Sequence, residues 1–433
     1  MYARLKGLLL NMALLSMGMR GSSIIFKFAL SLFLSRFLGL SDLGVYGLIL
    51  GAAAMTPALL GLGLNGPLHR QIVDADRAYA TRLICTRFLV SAVLYVIVVP
   101  LAMLWIVHMF PGAPIYLLAM IVAIVILEHL TADIHGVLVF RHHNLLASIL
   151  LFLRTGAWPL PFMLLAWADP DLRTMSFLTA CWLAALLAVL LLSLLYALRN
   201  ELLRNLSIDL NWMRQAVAKS VPFYIFDSAS MGSLYVDRYI MTSLLGLSLT
   251  GIYTFYWSLS NAIMTVVIYG VLQPFAPQIV AAVAQADRRR LNDKVRQMRM
   301  RILMVSLLIG GGSVVCVPVI VHYLGDASLD QQWPVMIVLM IGTVIRLMAE
   351  SRQSVLYAFH KDWETAGIGL LGVICSVAVT VILSRALGLL GTALAFAITS
   401  SFLLVCRDIV VRRAMAELPG GEPVRAPARR VAL

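Results

Sequence analysis

Apolar residues fill most of the chain in long blocks, and short segments rich in polar residues separate these blocks. Each block is close to the roughly 20 apolar residues that a helix needs to cross the hydrocarbon core of a bilayer. The blocks predict about twelve transmembrane helices, at approximately 10–36, 43–67, 83–108, 115–139, 146–168, 175–197, 218–244, 249–273, 301–323, 334–357, 364–384 and 389–411. The pattern therefore predicts an all-α protein embedded in a membrane.

One segment of this pattern occurs twice. Leu38–Val73 is repeated without a gap as Leu245–Val280, an offset of 207 positions, so that LGLSDLGVYG returns as LGLSLTGIYT and GPLHRQIV as QPFAPQIV. Two copies of one unit predict two six-helix lobes, 1–205 and 206–415. Since each lobe has an even number of spans, both enter from the same side, and we expect a pseudo-twofold axis along the membrane normal.

Such a repeat also favours a class of function. Equivalent lobes in membrane proteins usually flank a central cavity that opens to each side in turn, which predicts a transporter. After the second lobe, residues 416–433 combine glycine, proline and arginine with few bulky apolar residues. This composition predicts a disordered cytoplasmic tail.

Composition and charge narrow the class further. Hydrophobic residues make up 61% of the chain and charged residues only 13%, more apolar surface than a soluble domain hides from water. Most of the 34 Lys and Arg residues fall on one side of the predicted helices, and only Arg36, Arg173 and Arg385 fall in predicted outer loops. By the positive-inside rule, both termini are expected in the cytoplasm.

The net charge of +13 is therefore explained mostly by topology. The basic residues are spread over separate short inner segments, to which Arg87, Arg352 and Arg407 are also assigned, so we expect no nucleic-acid partner.

Enzymatic chemistry is not indicated. The five cysteines are single and far apart, with neither metal-ligand spacing nor a disulfide framework. No constellation of nucleophile and base is visible, and the predicted outer loops, about ten residues or fewer, are too short for a catalytic site. We expect no catalytic residue, no metal site and no cofactor other than a coupling ion.

Cations inside predicted spans are the candidate substrate-binding residues, because charges there are costly and usually functional. They are Arg20, Lys27, Arg154, Arg238 and Arg346. Arg20 and Lys27 lie seven residues apart, two helical turns, and so share a face that is expected to bind an anion. The alternatives are that Lys27 snorkels to the interface, that Arg154 marks the inner membrane boundary, and that Arg346 is neutralised by a residue at i+4, Glu350.

Acids inside predicted spans are candidates for coupling to a proton or a sodium ion. They are Glu128, Asp133, Asp227 and Asp237. Asp133 lies at i+4 from His129, so a proton relay is one interpretation of this helix, and a polar helix end at the cytoplasmic face is the other. Asp237 and Arg238 diverge by about 100° on a helix and are expected to find different partners. An interhelical salt bridge that orients the bundle is the alternative for Asp237.

Three stretches resemble a known family. SRFLGLSDLGVYGLIL, its echo VDRYIMTSLLGLSLTGIYTFYWSLSN, and VLYAFHKDWETAGIGLLGVICSVAVTVILSRALGLLGTALAFAIT are similar to polysaccharide transporters of the MOP flippase superfamily. The resemblance implies two six-helix bundles in the V shape of MATE transporters. It implies a bacterial inner-membrane flippase that moves an undecaprenyl diphosphate-linked oligosaccharide from the cytoplasmic to the periplasmic leaflet. Membrane lipids, a polysaccharide polymerase and chain-length machinery are the implied partners.

Two related functions compete with this one. A MATE-type multidrug antiporter is expected to bind organic cations through acidic residues, whereas here the intramembrane cations outnumber the central acids. A lipid II flippase of the same superfamily usually carries two further C-terminal helices, which this sequence lacks. An anionic lipid-linked oligosaccharide is therefore the favoured cargo.

Overall fold

The chain folds into α-helices along most of its length. The computed structural model describes residues 2–110, 112–201, 207–324 and 327–417. The predicted tail at 416–433 lies, from 418 onward, outside the described residues. The helices are α1 (Tyr2–Phe37), α2 (Leu40–Gly61), α3 (Asn65–Ile72), α4 (Arg77–Met109), α5 (Ile115–Phe140), α6 (Asn144–Phe152), α7 (Pro159–Ala168), α8 (Met175–Arg199), α9 (Leu210–Leu245), α10 (Leu247–Val267), α11 (Gln273–Ala284), α12 (Arg288–Leu324), α13 (Ala327–Gln331), α14 (Trp333–Ala358) and α15 (Asp362–Ala416).

The predicted all-α membrane fold is confirmed. Within the described residues, nine helices are long and apolar enough to cross a membrane. Two predicted spans are interrupted by π-helical turns, at Leu153–Ala157 between α6 and α7 and at Ile268–Leu272 between α10 and α11. The last two predicted spans are joined in α15 across Gly388, whose φ of 60° and ψ of −135° leave the helical region.

Two predicted helix starts are too late. The apolar windows begin at 218 and 301, but α9 begins at Leu210 and α12 at Arg288. The first turns of both helices are rich in polar residues and precede the apolar stretch. Hydropathy detects the apolar stretch only, so it does not detect these turns. Asp209 caps α9 by accepting a hydrogen bond from the Trp212 N–H at 2.8 Å.

Contacts divide the chain into two compact units, Met1–Ser258 and Leu259–Leu433. The first unit contains α1 to α9 and the first half of α10, and the second unit contains the rest. One core cluster of the first unit packs Leu64 and Leu83 against Trp212, and one of the second packs Ala349 against Leu403. The predicted lobes, 1–205 and 206–415, stay a prediction.

The sequence repeat has a structural counterpart inside the first unit, where α2 crosses the start of α10. A Cβ added at Gly44 meets the carbonyl of Leu247, and one added at Gly251 meets the carbonyl of Leu40. Each residue in the first contact lies 207 positions from its equivalent in the second, so the crossing is reciprocal, as in a local twofold arrangement. Small residues permit this close approach of two helices.

The two copies also begin with the same backbone conformation. Gly39 has φ 97° and ψ 167°, and its equivalent Gly246 has φ 86° and ψ 173°. Non-glycine residues rarely adopt a φ in this range, so both glycines of the LGLS motif are required by the turn that precedes the helix.

Candidate functional site

Ionisable residues of α5 form the centre of the candidate site. Glu128, His129 and Asp133 are 6%, 0% and 2% exposed. These values differ from the expectation of a polar helix end at the cytoplasmic face, where the side chains are hydrated. Because Glu128 and His129 point about 100° apart on the helix, α5 serves two separate polar clusters.

The first cluster, which we call the Lys27 cluster, contains Lys27, Glu128, Arg154 and Trp182. Arg154 Nε donates to Glu128 Oε2 at 2.6 Å, and Trp182 Nε1 donates to Oε1 of the same carboxylate at 2.9 Å. Lys27 on α1 is half-buried and within electrostatic reach of both Glu128 and Arg154. Two cations and one carboxylate give the cluster a net charge of +1.

Local backbone features bring these residues together. Arg154 lies in the π-helical turn Leu153–Ala157, which precedes Pro159 at the start of α7. Next to it, a Cβ added at Gly156 meets Ser23 of α1, with the Ser23 Cα only 2.7 Å away. The missing side chain at Gly156 therefore lets α1 approach the turn one helical turn before Lys27. Single π-helical turns within helices are frequent at functional sites.

The second cluster, which we call the Arg87 cluster, joins α4 to α5. Arg87 Nη2 lies 2.7 Å from Asp133 Oδ2 and 3.2 Å from His129 Nε2. Asn65 donates to Asp133 Oδ1 at 2.9 Å, and the Tyr95 hydroxyl lies 2.6 Å from His129 Nδ1. The network connects three helices through hydrogen bonds and ion pairs between buried side chains, and its contacts with both ring nitrogens of His129 hold the imidazole in one orientation.

Arg87 was counted with the basic residues of the inner segments on sequence, but the structure places it inside a helix and not in a loop. The residue lies in the third turn of α4 and is 1% exposed. It stands at the edge of an apolar window, where a charge resembles a helix boundary. Its carboxylate partner Asp133 is 46 positions away, so no local spacing revealed the pair.

Asp237 and Arg238 lie together on α9 in a setting of aromatic rings. The expectation that they find different partners is wrong in part: Arg238 Nη1 lies 3.6 Å from Asp237 Oδ1, which also accepts from the Arg238 backbone N–H at 2.8 Å. That backbone bond turns the carboxylate toward the guanidinium. Tyr253 also donates to Asp237, as an interhelical partner. The guanidinium carbon lies 4.8 Å from the centroid of the Tyr235 ring and 4.7 Å from that of Trp257, both cation–π distances.

Two further predicted residues belong to the first unit. Arg20 is half-buried on α1 and within electrostatic reach of His135. Asp227 is exposed on α9. Their predicted roles in substrate binding and ion coupling stay predictions.

Arg346 lies in the second unit. Its Nε donates to Glu350 Oε1 at 2.9 Å, which confirms the predicted pair at i and i+4. Arg407 Nη1 shares the same oxygen at 3.1 Å. Arg407 was assigned to an inner segment, but it is 1% exposed within α15. With Arg346 also at 1% exposure, this cluster lies inside the packing of the unit, and a binding role for Arg346 stays a prediction.

The structure thus groups the predicted residues unevenly. It brings Lys27, Arg154 and Glu128 into one cluster, and it places Asp133 in another. Among the described residues, no group of three or more His, Cys, Asp and Glu side chains is arranged to hold a metal ion. Arg87 is the main residue that the sequence interpretation missed.

Comparison with known proteins identifies the fold. No protein-family model matches the sequence, and no curated protein does. Solved structures do match. A multidrug resistance MATE family transporter of the MOP superfamily, in its inward-facing conformation, aligns with a TM-score of 0.75 at 14% identity, covering 92% of this chain and 95% of that chain. The outward-facing conformation of such a transporter gives 0.68 at 14% identity, covering 94% and 96%.

A third solved structure comes from Pyrococcus furiosus. It is a MOP superfamily transporter whose binding pocket is described as having reverse polarity, which suggests a different function. It aligns with a TM-score of 0.65 at 14% identity over 94% of this chain and 96% of that chain. The fold of this protein is therefore that of MATE-like transporters, as predicted.

Proposed function

We propose that this protein is a flippase that moves an undecaprenyl diphosphate-linked oligosaccharide from the cytoplasmic to the periplasmic leaflet of a bacterial inner membrane. The transport step is alternating access. Support for it comes from the fold, since MATE family transporters with this fold have been solved in inward-facing and outward-facing conformations. O-antigen, capsule or exopolysaccharide biosynthesis is the setting that we propose.

The Lys27 cluster is the observation that carries the proposal. A charged side chain at the centre of a bilayer costs roughly 2.5–3.5 kcal/mol on insertion scales, so a cation that its neighbours leave uncompensated needs a reason. The carboxylate of Glu128 is already bound by Arg154 and Trp182. Lys27 brings a second positive charge to the cluster, and the single carboxylate cannot balance both cations. An anionic ligand supplies the missing negative charge. In the proposed cargo this charge is the diphosphate that links the polyprenyl chain to the oligosaccharide.

The Arg87 cluster is the candidate site for ion coupling. Asp133 and His129 both contact Arg87, so a proton added to either group changes the net charge around the guanidinium. A change of one charge in a buried network shifts the balance between two arrangements of the helices that it joins. We propose a proton as the coupling ion on this basis, with sodium as the alternative.

A multidrug antiporter is the second candidate, because the transporters of known structure named above include multidrug resistance proteins. The exposed carboxylate of Asp227 is the observation that favours a cationic cargo. The transporter with the pocket of reverse polarity supports the view that this fold carries other cargoes as well. A lipid II flippase stays within the proposed class, because its cargo is also a polyprenyl diphosphate.

Transport in proteoliposomes separates these functions. The purified protein is reconstituted with a polyprenyl diphosphate oligosaccharide that carries a fluorophore on its sugar, and a membrane-impermeant quencher is added outside. We expect the protected inner-leaflet fraction to become accessible in the presence of the protein. Parallel liposomes loaded with a cationic dye, under a proton or a sodium gradient, are expected to show no protein-dependent flux. Dye flux without movement of the lipid-linked sugar would replace the proposal with the antiporter.

A further inference from the structure

Two adjacent hollows lie in the second unit, between α12, α14 and the last turns of α15. They measure about 460 Å³ and 500 Å³, and both are lined by Arg299, Arg352 and Arg412. Asp408 lines the first hollow and Arg296 lines the second. We call these five residues and the hollows that they line the Arg299 pocket. It belongs to no part of the transport site described above.

The pocket has a fixed excess of positive charge. Asp408 Oδ1 lies 2.7 Å from Arg352 Nη2, and Asp408 Oδ2 accepts from Arg412 Nε at 2.6 Å, so one carboxylate holds two guanidinium groups in place. Arg296 and Arg299 add two exposed cations one turn apart on α12. Four arginines and one aspartate leave a net charge of +3.

The walls beside these charges are apolar and exposed. Met300 and Val405 are 49% and 57% exposed, and Ile409 is 46% exposed. Leu303, Leu404 and Val411 are further apolar residues of the lining. A site that puts cations next to exposed hydrocarbon fits an amphipathic ligand with an anionic head and an apolar chain.

Its place in the chain fits the cytoplasmic leaflet. The pocket forms where α12 begins and α15 ends, and both of these ends are predicted to be cytoplasmic by the positive-inside rule. Basic pockets between transmembrane helices on this side bind phospholipids whose headgroups carry two phosphates. The arginines that line both hollows put two phosphate positions within reach of the same cations.

We propose that the Arg299 pocket binds an anionic phospholipid of the cytoplasmic leaflet with two phosphates in its headgroup. One phosphate lies in each hollow, Arg299, Arg352 and Arg412 contact both, and the acyl chains follow the apolar walls. This function goes beyond transport: the lipid ties α12 to α14 and α15 from the membrane side. This proposal does not depend on the proposed cargo, because the Arg299 pocket lies in the second unit and the Lys27 cluster lies in the first.

The test is a direct binding measurement on the full-length protein. Nanodiscs of zwitterionic phosphatidylcholine receive increasing amounts of cardiolipin, and the bound lipid is counted by native mass spectrometry. We expect saturable binding of cardiolipin that is tighter than binding of phosphatidylglycerol, which has one phosphate. The double variant R296Q/R299Q is expected to bind cardiolipin about 25-fold more weakly, since each basic residue near anionic lipid contributes roughly fivefold.

The double variant R288Q/R289Q is the matched control, because it removes the same charge from the same helix outside the pocket. Its cardiolipin affinity is expected to stay within twofold of the original protein. Equal weakening in both double variants, or binding that does not saturate, would overturn the proposal in favour of general surface attraction. Full displacement of cardiolipin by an equal concentration of inorganic pyrophosphate would overturn it too, because the apolar walls would then contribute nothing.

Discussion

The reciprocal crossing of α2 and α10 yields a quantitative prediction for Gly44→Ala and Gly251→Ala. The methyl group added at Gly251 lies 2.7 Å from the carbonyl carbon of Leu40, whereas ordinary contacts begin at about 3.4 Å. The carbonyl oxygen of Leu40 lies closer still to this methyl group, so the helices must separate by more than about 0.7 Å. A gap of about 0.5–1 Å already forfeits a quarter to a half of the dispersion energy of the contacts that it opens. We expect each substitution to cost about 1–3 kcal/mol of stability, near the upper end because the obstacle is backbone.

The melting temperature in mild detergent, followed by tryptophan fluorescence, measures this loss. The double variant is expected to lose less than the sum of the single losses, because one separation of the two helices accommodates both methyl groups. Gly311→Ala on α12 is the matched control: its Cβ meets nothing within 4 Å. A helical alanine there is expected to leave the melting temperature unchanged or to raise it. Equal melting temperatures for Gly44→Ala and the original protein would refute the close crossing.

Three further predictions concern buried and partly buried ionisable groups. Asp133→Asn leaves the charge of Arg87 buried beside a neutral amide, and we expect it to lower stability by about 3–5 kcal/mol, seen as a lower melting temperature. The double variant with Arg87→Met should recover part of this stability, because the unpaired charge is then gone. Glu350→Gln removes the carboxylate that two buried arginines share, so it should lower the melting temperature far more than Glu417→Gln at the surface, and equal effects would contradict the shared pair. Burial lowers the pKa of His69 to about 4. Since the unfolded chain then binds this proton more readily between about pH 4 and 6.5, stability is expected to fall as the pH drops through that window, and His69→Gln should remove part of that fall.

Much of the fold follows from the sequence because the bilayer imposes a length on every helix that crosses it. Hydropathy therefore found the helices but not their polar first turns, as at Leu210 and Arg288. The repeat also carried physical information: the glycines at 44 and 251 recur because two equivalent helices meet there. Close backbone contact between the two helices explains why glycine occupies these positions, whereas helix propensity disfavours glycine there.

The candidate site was less accessible to sequence reasoning. Lys27 and Arg154 stood out because charges inside apolar blocks are conspicuous, and the structure adds that Glu128 joins them. Arg87 was not recognised as a buried residue because it lies near the start of an apolar block. Its partner Asp133 is distant in sequence, and the two residues meet only in the folded structure. Which cation meets which acid depends on helix packing over long sequence separations, and spacing within one helix carries no such information.

The central claim is that the positive charge of Lys27 receives the diphosphate of the cargo, and its most direct test is the flipping rate of the labelled lipid-linked oligosaccharide in proteoliposomes. Removing one charge-assisted contact costs about 1.5–3 kcal/mol, so Lys27→Gln should slow flipping at limiting substrate about tenfold or more, while Lys27→Arg retains most of the rate. Lys219→Gln, which removes an exposed lysine of α9, should leave the rate unchanged. Flipping by Lys27→Gln at the original rate, in protein with an unaltered melting temperature, would contradict the claim.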